Sequence, residues 1–337
     1  MKVEKIWIRK NGPAEVLSFE TTHDGTLEQL LPDEVLIDVY YSGINFADIV
    51  MRLGFYPNAP AKPYVPGYEY SGIVLKVGSH VKHVKVGDAV YGGSFFGSHS
   101  SKIKIESWLV IKLPKELTLE EGAALPVAFI TTHAAICDMA RVRAQDKVVI
   151  DCATGGVGTL ALQILQKLGA ETTGLTSSES KKALIESYGA RALTHAEFAK
   201  ENKLNHYDFI LNSQGGSSIR QYYNYLAPTG RMVCLGISAG IKNGRRDFFA
   251  MIKTIITMPK FSVIKMFHDN RGVYGENALK LMEDRTFCEK SLANFTKISE
   301  WNLKPHIGEI IKARDVVTAH KMIESRAATG KLLLAWK

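Results

Sequence analysis

The stretch Val148-Val149-Ile150-Asp151-Cys152-Ala153-Thr154-Gly155-Gly156-Val157-Gly158-Thr159 decides the fold. A short apolar β-type run enters a turn with three glycines in four positions. Val157, Leu160, Ala161, Ile164, Leu165 and Leu168 then recur at helical spacing. Glycines let a backbone turn tightly and approach a pyrophosphate. The helix start offers N–H groups and partial positive charge to the phosphates. Glycines so clustered cost chain entropy without helping packing, so the order strand, glycine turn, helix predicts a dinucleotide site. Its expected diphosphate contacts are Gly155, Gly156, Val157 and Gly158.

Downstream, Glu171–Thr176 reads as a second strand and Lys181–Tyr188 as a second helix. Tyr207–Asn212 and Arg231–Leu235 read as further strands, with a helix between them. Alternation with short loops implies a parallel sheet covered by helices on both faces. A site for NAD carries an acid at the end of the second strand, for the ribose hydroxyls. Here that place reads Thr176-Ser177-Ser178-Glu179-Ser180-Lys181-Lys182. Hydroxyls and lysines suit the 2′-phosphate of NADP(H), which needs donors and positive charge. Thr176, Ser177, Ser178 and Lys181 are the expected contacts. Glu179 either points away on the next helix or counts against NADP(H), and a solvated helix face is the alternative for the lysines.

Upstream the pattern differs. Val35–Tyr41, Tyr70–Val77, Ala89–Tyr91 and Leu109–Leu113 are short β-type runs broken by Gly and Pro. No amphipathic helix interrupts 60–113, so this region reads as a small antiparallel barrel or sandwich. Toward the end, Trp301–Ile311 looks extended, Val316–Ser325 helical and Lys331–Trp336 a strand that packs back on the first region.

The 337 residues suggest about two domains. With 46% hydrophobic and 23% charged residues, the composition excludes disorder, collagen and a disulfide scaffold. No run of 18 apolar residues is present, and Met1–Trp7 alternates like a strand rather than a signal peptide. Cys137, Cys152, Cys234 and Cys288 lack metal or redox-motif spacing. They read as reduced, mostly buried thiols of a cytoplasmic protein. The net charge of +8 fits an anionic partner, a phosphorylated cofactor or a solvated surface equally well.

Four landmarks carry a resemblance over nearly the whole chain. They are Gly43-Ile44-Asn45-Phe46-Ala47-Asp48 with Gly54-Phe55-Tyr56-Pro57; Val65-Pro66-Gly67-Tyr68-Glu69-Tyr70-Ser71-Gly72 leading to Val84-Lys85-Val86-Gly87-Asp88; the glycine turn with Gln163 in its helix; and Glu324–Lys331. The chain resembles the medium-chain dehydrogenase/reductase superfamily and, within it, the zinc-free quinone oxidoreductases. The insertion between Gly236 and Gly275, with Leu303-Lys304-Pro305-His306-Ile307, resembles the vesicle amine transport protein branch. The resemblance implies an α/β fold: a Rossmann-type doubly wound domain over 127–275, and a GroES-like, mostly antiparallel β catalytic domain over 1–126 and 276–337. It also implies a homodimer joined through the cofactor domain.

Zinc alcohol dehydrogenases place a cysteine where this chain has Asn45 and a histidine where it has Tyr68. They also carry a lobe of four cysteines, and Gly92–Ile111 has none. Zinc needs about four N, S or O ligands, so the expected metal complement is none. By resemblance Asn45, Tyr56 and Asp48 line the nicotinamide site as catalytic residues. The alternatives are a turn-forming Asn, a buried aromatic and a helix-capping carboxylate. By the same resemblance Thr131 lies near the nicotinamide phosphate, Arg326 reaches back to the cofactor or makes a surface salt bridge, and Asn212, Ser213, Gly236, Ile237 and Ser238 end strands where such folds bind ligands.

The implied activity is hydride transfer from NADPH to an electrophilic small molecule, a quinone or an α,β-unsaturated carbonyl, whose conjugation spreads the incoming charge. The rival reading is an NADPH-binding, membrane-surface or protein-interaction protein with little reductase activity. The segment 242–271 motivates it, with seven basic and two acidic residues among large apolar ones. A lid over the substrate or a dimer contact is the alternative for that segment. No motif specific for nucleic acid accompanies the charge.

Overall fold

The computed structural model describes residues 1–56, 59–241 and 248–337. Pro57 of the first landmark, and Lys242, Arg245 and Arg246 among the basic residues of the segment 242–271, therefore lie outside the described residues. Two compact units form. One takes in 1–127 and 305–337, the other 128–241 and 248–304.

The first unit opens with β1 (Lys2–Ile8) and β2 (Leu17–His23), an antiparallel pair. β3 (Glu34–Ile44) leads into α1 (Phe46–Leu53), followed by β4 (Glu69–Val77), β5 (Ala89–Gly93), β6 (Lys102–Glu106), β7 (Ile111–Lys112) and α2 (Leu119–Ala124). After α3 (Pro126–His133) the second unit alternates strand and helix: β8 (Lys147–Ile150), α4 (Gly156–Leu168), β9 (Glu171–Thr176), α5 (Lys182–Glu186), β10 (Arg191–Thr194), α6 (His195–Glu201), β11 (Tyr207–Asn212), α7 (Ser218–Tyr225) and β12 (Leu226–Cys234). The helices α8 (Phe248–Ile256) and α9 (Val263–Asp269) precede β13 (Gly272–Gly275), and α10 (Ala278–Met282), α11 (Arg285–Ala293) and α12 (Thr296–Glu300) follow it. The chain returns to the first unit with β14 (Ile307–Lys312), α13 (Val316–Glu324) and β15 (Lys331–Ala335).

The second unit carries a six-stranded sheet in the order β10-β9-β8-β11-β12-β13, parallel throughout. This is the order in which the chain winds outward from a central strand in two directions, the doubly wound plan. Val148, Val149 and Ile150 are fully buried, as a strand covered on both faces requires. Gly169, at φ +75°, ends α4 in the left-handed conformation, its N–H returning to Leu165 and Gln166. The first unit holds a seven-stranded sheet, β14-β15-β3-β4-β5-β7 with β6 on β3, antiparallel except for β14 on β15. Trp336 closes it, its indole N–H donating to Ser42 Oγ at 3.0 Å.

Three expectations change. Residues 276–304, assigned from sequence to the first domain, lie in the second unit. Phe295 meets Phe129 edge-on at 4.9 Å, and Lys304 exchanges two hydrogen bonds with Gln163, at 2.7 and 3.0 Å. Those contacts also hold 301–304 out of the expected strand, which begins only at Ile307. The cysteines are not mostly buried: Cys288 is, Cys137 and Cys234 are half-buried, and Cys152 is exposed in the turn after β8. The pair β10 and α6 is an addition. Arg191–Thr194 is too short for alternation to register, although Thr194 and Glu197 carry a capping-box signature.

Candidate functional site

The glycine turn forms as its sequence requires. Gly155 caps α4, and Ala153 N–H donates to Leu175 O on β9 at 2.9 Å, tying the turn to the sheet. A Cβ on Gly158 would stand 2.5 Å from Cys152 O and 2.6 Å from Ala153 backbone atoms, so, against the expectation that these glycines do not help packing, Gly158 is what lets helix and turn approach this closely. A Cβ on Gly155 would meet nothing nearer than Cys152 O at 3.6 Å. The turn is thus packed from below at Gly158 and open above at Gly155. The thirteen-residue helix starting there aims its first-turn N–H groups and dipole at that opening. These residues fit a dinucleotide diphosphate.

The adenosine end is set by the carboxyl ends of β8, β9 and β10. β9 ends at Thr176 with no acid, and Ser178 Oγ shares a hydrogen bond with Ser180 Oγ at 2.8 Å. Glu179 is exposed and pairs with Lys182 Nζ at 2.9 Å, and Lys182 also pairs with Glu197 at 2.6 Å. Glu179 is therefore engaged by Lys182, which answers the objection it raised. Lys181 lies nearer the turn. Partial burial holds its ammonium below the ordinary lysine pKa, and Cys152 is close enough to oppose that shift.

Beside them is a group the sequence reading missed. Asp151, closing β8, is buried and accepts from His195 Nε2 at 2.8 Å and Gln214 Nε2 at 3.0 Å. Cys152 follows at φ +56° with Sγ 3.6 Å from Asp151 Oδ1.

A second polar cluster is built within the first unit. Lys331 Nζ donates to Asn45 Oδ1 at 2.6 Å and pairs with Glu69 Oε1. Asn45 Nδ2 donates to the same Glu69 oxygen at 2.8 Å, and the Val127 N–H donates to Glu69 Oε2 at 2.9 Å. Glu69 and Lys331 appear in the sequence only inside longer landmarks, and only the pairing of β15 with β3 brings Lys331 here. Asp48 is fully buried, its Oδ2 accepting from the Asn45 N–H at 2.8 Å, the helix-capping geometry. Burial pushes the Asp48 pKa up, while His99 and Lys331 oppose the rise.

Tyr56 is half-buried and near enough to Tyr68 to be felt electrostatically, as are Asp48 and Tyr64. Tyr64 and Tyr68 flank Phe96 with ring centroids 6.1 and 5.4 Å away. The Tyr68 hydroxyl donates to Met51 Sδ, and burial pushes its pKa far above the phenol range. This neighbourhood does not fit a zinc ion. Asn45 has both side-chain ends engaged, Glu69 is neutralised by Lys331, and Tyr68 stays a protonated phenol.

The other expected cofactor residues divide by unit. Thr131 is buried in α3. Asn212 is buried and spans its loop, donating to Ser218 Oγ at 2.9 Å and accepting from Gly215 N–H at 2.9 Å. Ser213 O accepts from Ser238 Oγ at 2.9 Å, which joins the two strand-end loops; Gly236 and Ile237 complete them. Arg326 is exposed in the first unit at φ +59°.

Residues 31–115 match the alcohol dehydrogenase GroES-like domain and residues 156–283 the zinc-binding dehydrogenase domain. The synaptic vesicle membrane protein VAT-1 homolog of Danio rerio is 28% identical over 308 residues, 89% of this chain. The match spans 64% of that relative, so the zebrafish protein is substantially longer than the part matched. Quinone oxidoreductase-like protein 2 of Mus musculus is 26% identical over 91% of this chain and 86% of its own. The Escherichia coli quinone oxidoreductase, solved in complex with NADPH, superposes with a TM-score of 0.84 at 25% identity, covering 98% of this chain and 99% of its own. With its doubly wound sheet, its GroES-like unit and its glycine turn, the chain carries the two domains of the medium-chain dehydrogenase/reductase superfamily and is similar to its quinone oxidoreductases and to the VAT-1 homologues.

Proposed function

We propose that this protein is a zinc-independent, NADPH-dependent oxidoreductase whose acceptors are quinones or α,β-unsaturated carbonyls. The observation that carries the reading is the adenosine end of the glycine turn. No acid closes β9, Glu179 is engaged by Lys182, and Lys181 stands beside Cys152. That set favours a phosphate over ribose hydroxyls. The Escherichia coli relative solved with NADPH supports the same cofactor.

When bound, NADPH supplies the hydride. The chain's own residues then have three tasks. Gly155–Gly158 and the start of α4 hold the diphosphate. Ser177, Ser178 and Lys181 hold the 2′-phosphate. Asn45, kept in one orientation by Lys331 and Glu69, presents a fixed polar group, and Tyr56, Tyr64, Tyr68 and Phe96 supply apolar walls that exclude water. An electron-poor conjugated acceptor takes hydride without a Lewis acid, which agrees with the misfit of zinc at Asn45 and Tyr68.

The test is titration with NADPH and NADH, then an acceptor screen with a chelator present. We expect tighter NADPH binding and chelator-resistant oxidation of NADPH by quinones or enones. Equal affinity for both nucleotides, or turnover abolished by the chelator, refutes the reading.

A second reading is favoured by α8 and α9. Phe249, Ile256, Val263, Ile264 and Phe267 are exposed and interleaved with exposed Lys253, Lys260 and Lys265. No helix among the described residues is long and apolar enough to cross a membrane. Short helices of this composition suit the surface of an anionic bilayer. Co-sedimentation with phosphatidylserine vesicles at low salt tests it, and protein that stays in the supernatant rejects it.

A further inference from the structure

We propose that Asp151, Cys152 and His195 form a binding site for a divalent ion of the zinc class. The three come from two places in the chain. Asp151 and Cys152 leave β8, and His195 opens α6 immediately past β10. β9 lies between those strands, so the order of the sheet brings the imidazole over its carboxyl end to the turn.

A carboxylate oxygen, a thiol sulfur and an imidazole nitrogen all lie within 4.8 Å of one another. The nitrogen is 2.8 Å and the sulfur 3.6 Å from Asp151 Oδ1. Ligand atoms around tetrahedral zinc stand about 3.3–3.8 Å apart, given bonds of about 2.0 Å to nitrogen and 2.3 Å to sulfur. An ion entering between them opens the carboxylate–imidazole contact and holds the nitrogen and sulfur, which lie within 4.8 Å of one another, at that spacing, with water as the fourth ligand.

The site is built rather than accidental. Asp151 is 3% exposed, and its Oδ2 accepts no hydrogen bond. A buried carboxylate oxygen with no donor is an expensive arrangement unless something supplies positive charge. Gln214 Nε2, donating to Oδ1 at 3.0 Å, fixes the carboxylate as the partners of metal ligands do. Cys152 is exposed and held at φ +56°, a conformation a side chain rarely adopts, which keeps its sulfur beside the carboxylate. The mixed sulfur, nitrogen and oxygen set selects zinc-class ions over calcium or magnesium, which prefer oxygen alone. Binding displaces the thiol proton and takes the His195 ring through Nε2 without its proton. The site is separate from Asn45 and Tyr68 and adjoins the adenosine end of the glycine turn, where Lys181 stands beside Cys152, so the titration is made on the nucleotide-free chain.

Cobalt(II) chloride titrated into the chelator-stripped full chain tests this. We expect one equivalent to bind, with a near-ultraviolet thiolate-to-cobalt band and visible bands of tetrahedral intensity, all displaced by zinc chloride. Cys152→Ser, at an exposed position, should fold normally and lose the near-ultraviolet band. His195→Asn should weaken cobalt binding at least tenfold, and Gln214→Ala by roughly 10- to 100-fold. A wild-type protein with no thiolate-to-cobalt band overturns the proposal. So does a band of full strength in Cys152→Ser.

Discussion

Lys181 and Lys182 are adjacent in sequence and differ in circumstance. Lys182 is held by Glu179 and Glu197, while Lys181 lies by the turn. Replacing Lys181 by Ala should raise KM for NADPH by roughly tenfold or more, the effect of one charge-assisted contact, and leave KM for NADH nearly unchanged. Lys182→Ala removes no phosphate contact but frees Glu179, and should raise KM for NADPH by only about twofold, since ion pairs to exposed glutamates are weak. Steady-state kinetics with both nucleotides checks this, and equal effects on both from Lys181→Ala would exclude the phosphate contact. The contrast marks the limit of sequence reading at this scale. The two lysines and the missing acid are legible in order, but which lysine an exposed glutamate engages depends on where α5 and α6 place their side chains.

Elements carry two further predictions. β15 delivers Lys331 to Glu69 on β4, and both are buried. Lys331→Met leaves the Glu69 carboxylate buried without its partner and should cost about 3–5 kcal/mol in urea unfolding. Adding Glu69→Gln should recover much of that loss, and a strictly additive double variant would show the pair is not coupled. At the carboxyl end of β13, Glu276 is buried with neither carboxylate oxygen hydrogen-bonded, and burial, with Asp138 adding, pushes its pKa from 4.5 up to about 8. Between about pH 4.5 and 8 the folded protein keeps this proton while the unfolded chain releases it. Its contribution to stability therefore falls as pH rises through that window, by up to about 1.4 kcal/mol per pH unit. Glu276→Gln should raise Tm at pH 8 and leave it nearly unchanged at pH 4.5; scans at both values check this. Neither feature is readable in advance, because Glu69 lies 262 positions from Lys331 and a lone glutamate after a strand reads as surface.

For the whole molecule, the parallel sheet ends on β13, four residues with Tyr274 exposed and one edge that no other strand among the described residues covers. Such an edge pairs readily with a second copy. The homodimer we propose extends the sheet there. Sedimentation equilibrium should return twice the protomer mass of 37.3 kDa. Val273→Pro, which removes a backbone donor, should shift the equilibrium toward monomer, and a monomeric wild type would discard the idea.

By itself the sequence determined the glycine turn, the strand and helix that flank it, and the antiparallel character of 60–113. Those depend on neighbouring residues: an apolar run wants burial, and a glycine cluster wants a tight turn. Tertiary structure decided what meets across strands. The parallel order placed His195 over Asp151, the return of β15 placed Lys331 on Glu69, and Gln163 drew 276–304 to the second unit. Such pairings follow from which strand lies next to which, and local composition does not encode that.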